Sequence, residues 1–176
     1  MKKIYIFLLL FVISLATVAQ EINFYKRLSD AALELTKDKV TYDPRYYSIP
    51  YPNGDVAPNI GVCTDVIIRA YRKLGIDLQK KIHEDMKSNF SKYPKLFNAK
   101  GTDKNIDHRR VPNQATFFSR FGTVKKISDK GEDYLPGDIV TWDLGNGIRH
   151  VGIVTDRMST DKKRPLIVHN IGSGQV

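Results

Sequence analysis

The spacing of apolar residues changes once along this chain, near Gly122, and that change limits the fold more than any other feature. Before it the period is helical. Phe24, Leu28, Ala31, Ala32 and Leu35 predict an amphipathic helix over roughly 23–38. Cys63, Val66, Ile67, Ala70, Tyr71 and Leu74 form an i, i+3, i+4, i+7, i+8, i+11 stripe, predicting a second helix from about Val62 to Leu74 with Gly75 as its stop. Leu78, Ile82, Met86 and Phe90 predict a third, ending before Pro94. Pro112 at a first-turn position, then Ala115, Phe118 and Phe121, predict a short fourth closed by Gly122. Beyond Gly122 the segments Thr123–Ile127, Asp138–Trp142, His150–Thr155 and Leu166–Ile171 are short, β-branched and aromatic-rich. Turn residues separate them at Pro136-Gly137, Gly145-Asn146-Gly147 and Lys162 to Pro165. Helices first and a strand meander second give the α+β class. Thr41 to Ile60, with four prolines and four tyrosines, reads as an extended aromatic loop rather than a linker, and 95–110 as polar and irregular.

At 176 residues the chain has room for one ordinary domain and can bury a core without disulfide or metal staples. Its start is of a different kind. Met1-Lys2-Lys3, the apolar run Ile4 to Ala16 and the small residues Thr17-Val18-Ala19 follow the three-part pattern of a secretory signal, with Gln20 as the new N-terminus. A membrane anchor needs about 20 apolar residues, and this run is shorter and lacks a basic stop-transfer flank. No cysteine follows the run, which excludes lipoprotein anchoring. The expected organisation is therefore a signal peptide over 1–19 and a single domain over 20–176, exported to the periplasm or beyond, without stable membrane insertion after cleavage. The formal charge is +9, and losing Lys2 and Lys3 leaves +7, which favours anionic surroundings such as wall polymers. A nucleic-acid partner is not expected, because the aromatics do not interleave with basic runs. A monomer is expected.

One cysteine excludes an internal disulfide and a four-cysteine zinc site, and makes Cys63 the first residue to weigh. It falls in the first turn of a predicted helix, where free N–H groups and the macrodipole favour an anion and lower a thiol's pKa. The competing reading is a small buried hydrophobe, consistent with its place on the apolar stripe. His150 opens a predicted strand whose alternation puts Gly152 and Val154 on its face. Gly152 would let another element approach closely, and the helix headed by Cys63 is the expected one. His169 and Asn170 end the next predicted strand, and either could orient the imidazole. They face opposite sides, so spacing does not choose between them. A nucleophile, a base and an orienting group follow the general triad logic, although each histidine taken alone also reads as structural.

Pro136-Gly137-Asp138-Ile139-Val140-Thr141-Trp142, Arg149-His150-Val151-Gly152-Ile153-Val154-Thr155 and Ile167-Val168-His169-Asn170 resemble the core of NlpC/p60-type cysteine peptidases. Gly61-Val62-Cys63-Thr64-Asp65, Ile82-His83-Glu84-Asp85-Met86 and Asn105-Ile106-Asp107-His108-Arg109-Arg110-Val111-Pro112-Asn113 resemble, more narrowly, the bacterial exported family known as domain of unknown function 1287. The resemblance implies a papain-like fold, N-terminal helices on a C-terminal antiparallel sheet with the nucleophile heading a helix. It also implies amide cleavage in peptidoglycan stem peptides by Cys63, His150 and His169, with Asn170 as the alternative third residue. Three departures accompany it. Val62-Cys63-Thr64 stands where "D-C-S" is usual, Lys80 to Asn113 has no NlpC/p60 counterpart, and the chain stops six residues after Asn170. The last departure reads as a truncation that leaves a sheet edge unfilled.

Three further candidates come from residue chemistry. Arg109 and Arg110 would clamp a substrate carboxylate, or else belong to a salt-bridged loop. Tyr51 would line the cleft or donate to an oxyanion, with Tyr46 and Tyr47 packing on the surface. Asp65 would complement the helix N-terminus. Four scattered histidines without HExxH spacing give no metal site, and the expected chemistry needs no cofactor. The expected function is an exported cysteine hydrolase of wall peptides. The alternatives are a non-catalytic wall-binding module in the same cleft, or an amidase, acyltransferase or delivered toxin using the same triad.

Overall fold

The structure is a computed structural model that describes residue 20, residues 23–172 and residues 174–176. The expected signal peptide lies outside the described residues. The first helix, α1, covers 23–35, close to expectation. It ends in turns over 36–38, where Thr36 and Lys37 N–H groups bond back to Leu33 and Glu34. The chain then pairs in parallel with its own continuation across the tyrosine-rich loop: β1 (Thr41–Tyr42) lies beside β2 (Ile60–Gly61).

Helix α2 (Cys63–Lys73) comes directly after β2. The start of its predicted stripe is buried, with Cys63, Val66, Ile67 and Ala70 at 5% exposure or less. Thr64, Asp65, Ile68 and Arg69 between them are buried as well, so the first two turns of the helix are covered on every side. Gly75, at φ 80°, closes it by donating to the Arg72 carbonyl while Ile76 reaches back to Tyr71. Asp77 caps α3 (Leu78–Ser88) by accepting the Lys80 N–H. Short 3₁₀ turns at Phe90–Lys92, Leu96–Asn98 and Asp107–Arg109 lead to α4 (Val111–Phe121).

The sheet holds β3 (Ile139–Asp143), β4 (Arg149–Met158) and β5 (Pro165–Val168), antiparallel in the order β3-β4-β5. Gly145, Asn146 and Gly147 all adopt positive φ in the β3–β4 hairpin, a demand that explains two glycines and an asparagine there. Val151 and Ile153 of β4 and Val168 of β5 join Leu28, Leu35, Ile67, Ile82 and Phe117 in one core. The class is α+β, as the change of period predicts.

Two expectations need correction. Thr123–Ile127 is not a strand: it runs unpaired, with Val124 and Ile127 exposed and Lys125 tied to Asp138. β-branched composition makes a segment competent to pair but supplies no partner. The element that closes on Gly152 is β5 rather than α2, because a Cβ there would stand 2.5 Å from Ile167 Cγ2 and 3.3 Å from His169 Cβ. β5 is the outer strand of the sheet, and just past its end the chain folds back on itself: His169 and Val176 exchange both backbone hydrogen bonds, at 2.8 and 2.9 Å, and Asn170 bridges Gln175. Gln175 is then anchored by donating from Nε2 to the Leu35 carbonyl.

Candidate active site

Cys63 is the first residue of α2, entered from an extended Val62. The N-terminus is held by Asp65, which accepts the Val62 N–H at 2.7 Å. The same carboxylate receives two parallel bonds from Arg109, Nε and Nη2 both at 2.9 Å. Both side chains are 2% exposed, so this fork is a buried ion pair directly behind the cysteine. Thr64 adds a second tie by donating its hydroxyl to the Arg109 carbonyl at 3.1 Å. Gln114 joins the Thr64 and His108 carbonyls through Nε2. The Asp107–Arg109 turn and the start of α2 are thus one hydrogen-bonded unit.

α2 packs on β4, and backbone N–H groups of Val151 and Thr64 approach the Cys63 sulfur. Those donors favour the thiolate, but burial outweighs them and pushes the thiol up to about 11. The low-pKa thiol expected from the helix position alone is therefore corrected. With the group 5% exposed, desolvation exceeds what one helix end supplies.

His150 precedes the Val151 that faces the sulfur. Its Nε2 lies 3.2 Å from His169 Nδ1, and the rings meet edge to face, 5.0 Å between centroids. Trp142, opposite His150 in the β3–β4 register, packs on both imidazoles at 4.6 and 5.6 Å. Burial, then the charge on its histidine neighbour, lowers His150 to about 4; burial alone lowers His169. Both rings are neutral near pH 7.

Asn170 turns elsewhere. It is fully buried and donates from Nδ2 to the Gly61 carbonyl at 3.3 Å, so it fastens β5 to the strand before α2. Of the two candidates left open by spacing, His169 is the one against His150.

The remaining candidates separate. Arg109 is committed to Asp65 and, through Nη1, to the Arg45 carbonyl, which matches the salt-bridged-loop reading rather than a free clamp. Arg110 remains half-buried over Phe97. Tyr51 packs on His83 of α3, 5.3 Å between ring centroids, where burial first and then the charges of Glu84 and Asp77 raise its phenol, with no influence from Cys63. The tyrosine near the sulfur is Tyr42. Its phenol is pushed up by burial, then by the negative charge of a Cys63 thiolate and of Asp65. Nothing in sequence spacing singles out Tyr42, because only the β1–β2 pairing brings residue 42 beside Gly61. Trp142 is legible in principle, lying on the face of a strand that pairs with the histidine strand. Tyr46 and Tyr47 hold the loop together: Tyr47 donates to Asp43, and Tyr46 donates to Asp103 while accepting from Asn105. Arg45 and Tyr47 keep Asp43 well below the usual carboxylate range.

Among the described residues no group of three or more His, Cys, Asp or Glu could hold a metal ion. No helix among them is long and apolar enough to cross a membrane.

Comparison with known proteins agrees with the motif content. The chain is 46% identical over 159 residues to the uncharacterized protein YijF of Escherichia coli (strain K12), covering 90% of this chain and 77% of that protein. No solved structure matches. The family described as domain of unknown function (DUF1287) matches residues 29–176, most of the length and all of the cysteine–histidine site: the chain belongs to that family.

Proposed function

We propose that this protein is an exported cysteine hydrolase of papain-like, NlpC/p60-related type, cleaving amide bonds in peptidoglycan stem peptides. The observation that carries the reading is the His150–His169 contact at 3.2 Å on the strand whose next residue, Val151, faces the Cys63 sulfur. His150 Nε2 is engaged with His169, which leaves Nδ1 as the proton acceptor. For Nδ1 to accept, Nε2 must carry its own hydrogen and donate it to His169 Nδ1.

The cycle then balances without a cofactor. The thiol proton moves to His150 Nδ1 as Sγ attacks the amide carbonyl. Backbone N–H groups at the start of α2 hold the oxyanion. The C–N bond breaks as His150 returns its proton to the leaving amine, and water, deprotonated by His150, releases the acyl group and restores the thiol. Because the resting thiol is neutral, proton transfer and attack are coupled rather than starting from a standing thiolate–imidazolium pair. The positive charge of the chain holds it near anionic wall polymers, in a salt-sensitive way.

The deep burial of Cys63 and its raised pKa favour one other reading, a wall-binding module that uses the cleft without turnover. Mass spectrometry of fragments released from purified peptidoglycan separates the two. Fragments released by the wild type and absent with Cys63→Ala establish the hydrolase, and their masses name the bond. Blank traces from both folded proteins reject it for this substrate.

A further inference from the structure

Arg110 is a cation that the fold leaves without a carboxylate close to the nucleophile helix. Its neighbour Arg109 is consumed by Asp65, but among the described residues no carboxylate stands within ion-pair distance of Arg110. Asp107 and Asp103 act on it only at longer range, and its partial burial disfavours the charge. A half-buried guanidinium without a counter-ion is costly unless something else supplies the anion.

The segment beneath it is strained. Phe97 sits at φ 54°, ψ 35°, with Asn98 next at φ 55°, and the ring is 81% exposed. A bulky aromatic rarely occupies left-handed backbone. Here the ring lies under Arg110, with Cζ 4.1 Å from its centroid. Contact through the face of the guanidinium fixes its plane while leaving the in-plane N–H donors free, and that fork matches a carboxylate.

The position suits a peptide lying across Cys63. The carbonyl preceding Arg110 is bonded to the Thr64 hydroxyl, and consecutive Cα atoms are about 3.8 Å apart. An extended peptide advances about 3.3 Å per residue, so a peptide spanning from Cys63 to this arginine would present there a carboxylate a few residues from the attacked amide.

We propose that Arg110, held against Phe97, is a specificity residue that binds a carboxylate of the substrate peptide, so that the site selects peptides with a free carboxylate near the scissile amide. Cleavage of the bound peptide rests on the hydrolase reading; the binding itself does not require turnover.

The test uses calorimetry on the Cys63→Ala protein with three forms of the stem tetrapeptide: all carboxylates free, the C-terminus amidated, and the glutamyl α-carboxylate amidated. One amidation should weaken binding about tenfold or more. Arg110→Gln, checked by circular dichroism to be folded, should weaken the free acid by the same factor and leave that amide unchanged. Arg110→Lys should restore only part of the loss, and Phe97→Ala should give a smaller loss than Arg110→Gln. Equal binding of all three peptides, absence of binding, or discrimination that survives in Arg110→Gln overturns the proposal. Turnover of the free acid by the otherwise wild-type protein is scored separately. Arg110-dependent binding without product rejects the hydrolase and keeps the carboxylate site. Product without discrimination does the reverse.

Discussion

At the scale of single residues the balance at Cys63 decides how the site works. A helix N-terminus pulls a thiol's pKa down by electrostatics, whereas removal from water pushes it up, and here the second effect wins. A thiol near 11 leaves roughly one part in ten thousand as thiolate at pH 7. Iodoacetamide should therefore label Cys63 slowly at neutral pH, with a rate that climbs through pH 9 to 11; quenched-flow mass spectrometry gives the profile. A rate already saturated at pH 7 contradicts the burial argument. Gly152 is the second residue on which the geometry turns. An alanine there would meet Ile167, the Val168 carbonyl and His169 Cβ at 2.5, 2.9 and 3.3 Å, and overpacking of this kind costs about 1–3 kcal/mol. The same shift would move His169 off His150. Gly152→Ala should lower the melting temperature and, on the proposed hydrolase reading, abolish peptide release, whereas an exposed change such as Lys126→Ala should alter neither.

At the scale of elements, the start of α2 and the Asp107–Arg109 turn behave as one body because a buried fork joins them. Removing one partner strands the other charge, which typically costs about 3–5 kcal/mol. Asp65→Asn and Arg109→Met should each destabilise by that order in urea unfolding, and the double variant by less than their sum. Strict additivity would mean that the fork contributes nothing by coupling. Helices α1 to α3 are legible in the sequence because their apolar positions keep a 3.6 period and are buried where the period puts them. Helix α4 is legible through Pro112 and Gly122 but not in its face: Phe121 is 64% exposed while Val111, Gln114 and Phe117 are buried. The hairpin at Gly145–Gly147 is legible through residues that tolerate positive φ. What stays hidden is long-range partnership. Nothing within Thr41–Tyr42 indicates pairing with Ile60–Gly61, so spacing favours Tyr51 over the Tyr42 that stands near the sulfur. Nothing within Thr123–Ile127 shows that no strand will receive it. Arg109 and Arg110 are adjacent and identical in sequence, yet only contact with Asp65 makes one a buried strut and leaves the other available.

At the scale of the whole molecule, buried histidines set the response to pH. His108 is 1% exposed in the turn behind Cys63, and its Nδ1 lacks a hydrogen-bond partner among the described residues. Burial and then the Arg109 charge lower it to about 3, with Arg72 adding to the effect while Asp77 and Asp55 oppose it. His150 is lowered to about 4. Unfolded, each would titrate near 6.5, so between that value and the folded ones the unfolded chain binds more protons. Stability must therefore rise with pH through this window. The contribution is complete above about pH 6.5 and is lost as pH falls toward 4, at about 1.4 kcal/mol per unit for each histidine. Asp107, whose carboxyl burial raises, opposes the loss at the acid end. Cys63 adds the opposite limb: with a folded pKa above its unfolded value, it stabilises below about pH 9 and loses that contribution as pH climbs toward 11. The expected curve is a plateau between roughly pH 6.5 and 9 with a steep acid side. Urea unfolding at pH 7.0, 5.5 and 4.5 on the wild type and on His108→Gln measures it, since the glutamine cannot take up the proton. The variant should show a shallower acid slope in that range, with His150 and His169 carrying the remainder. A stability that stays flat from pH 7.0 to 4.5, or an acid slope unchanged in His108→Gln, would show that these histidines are not held neutral by the fold.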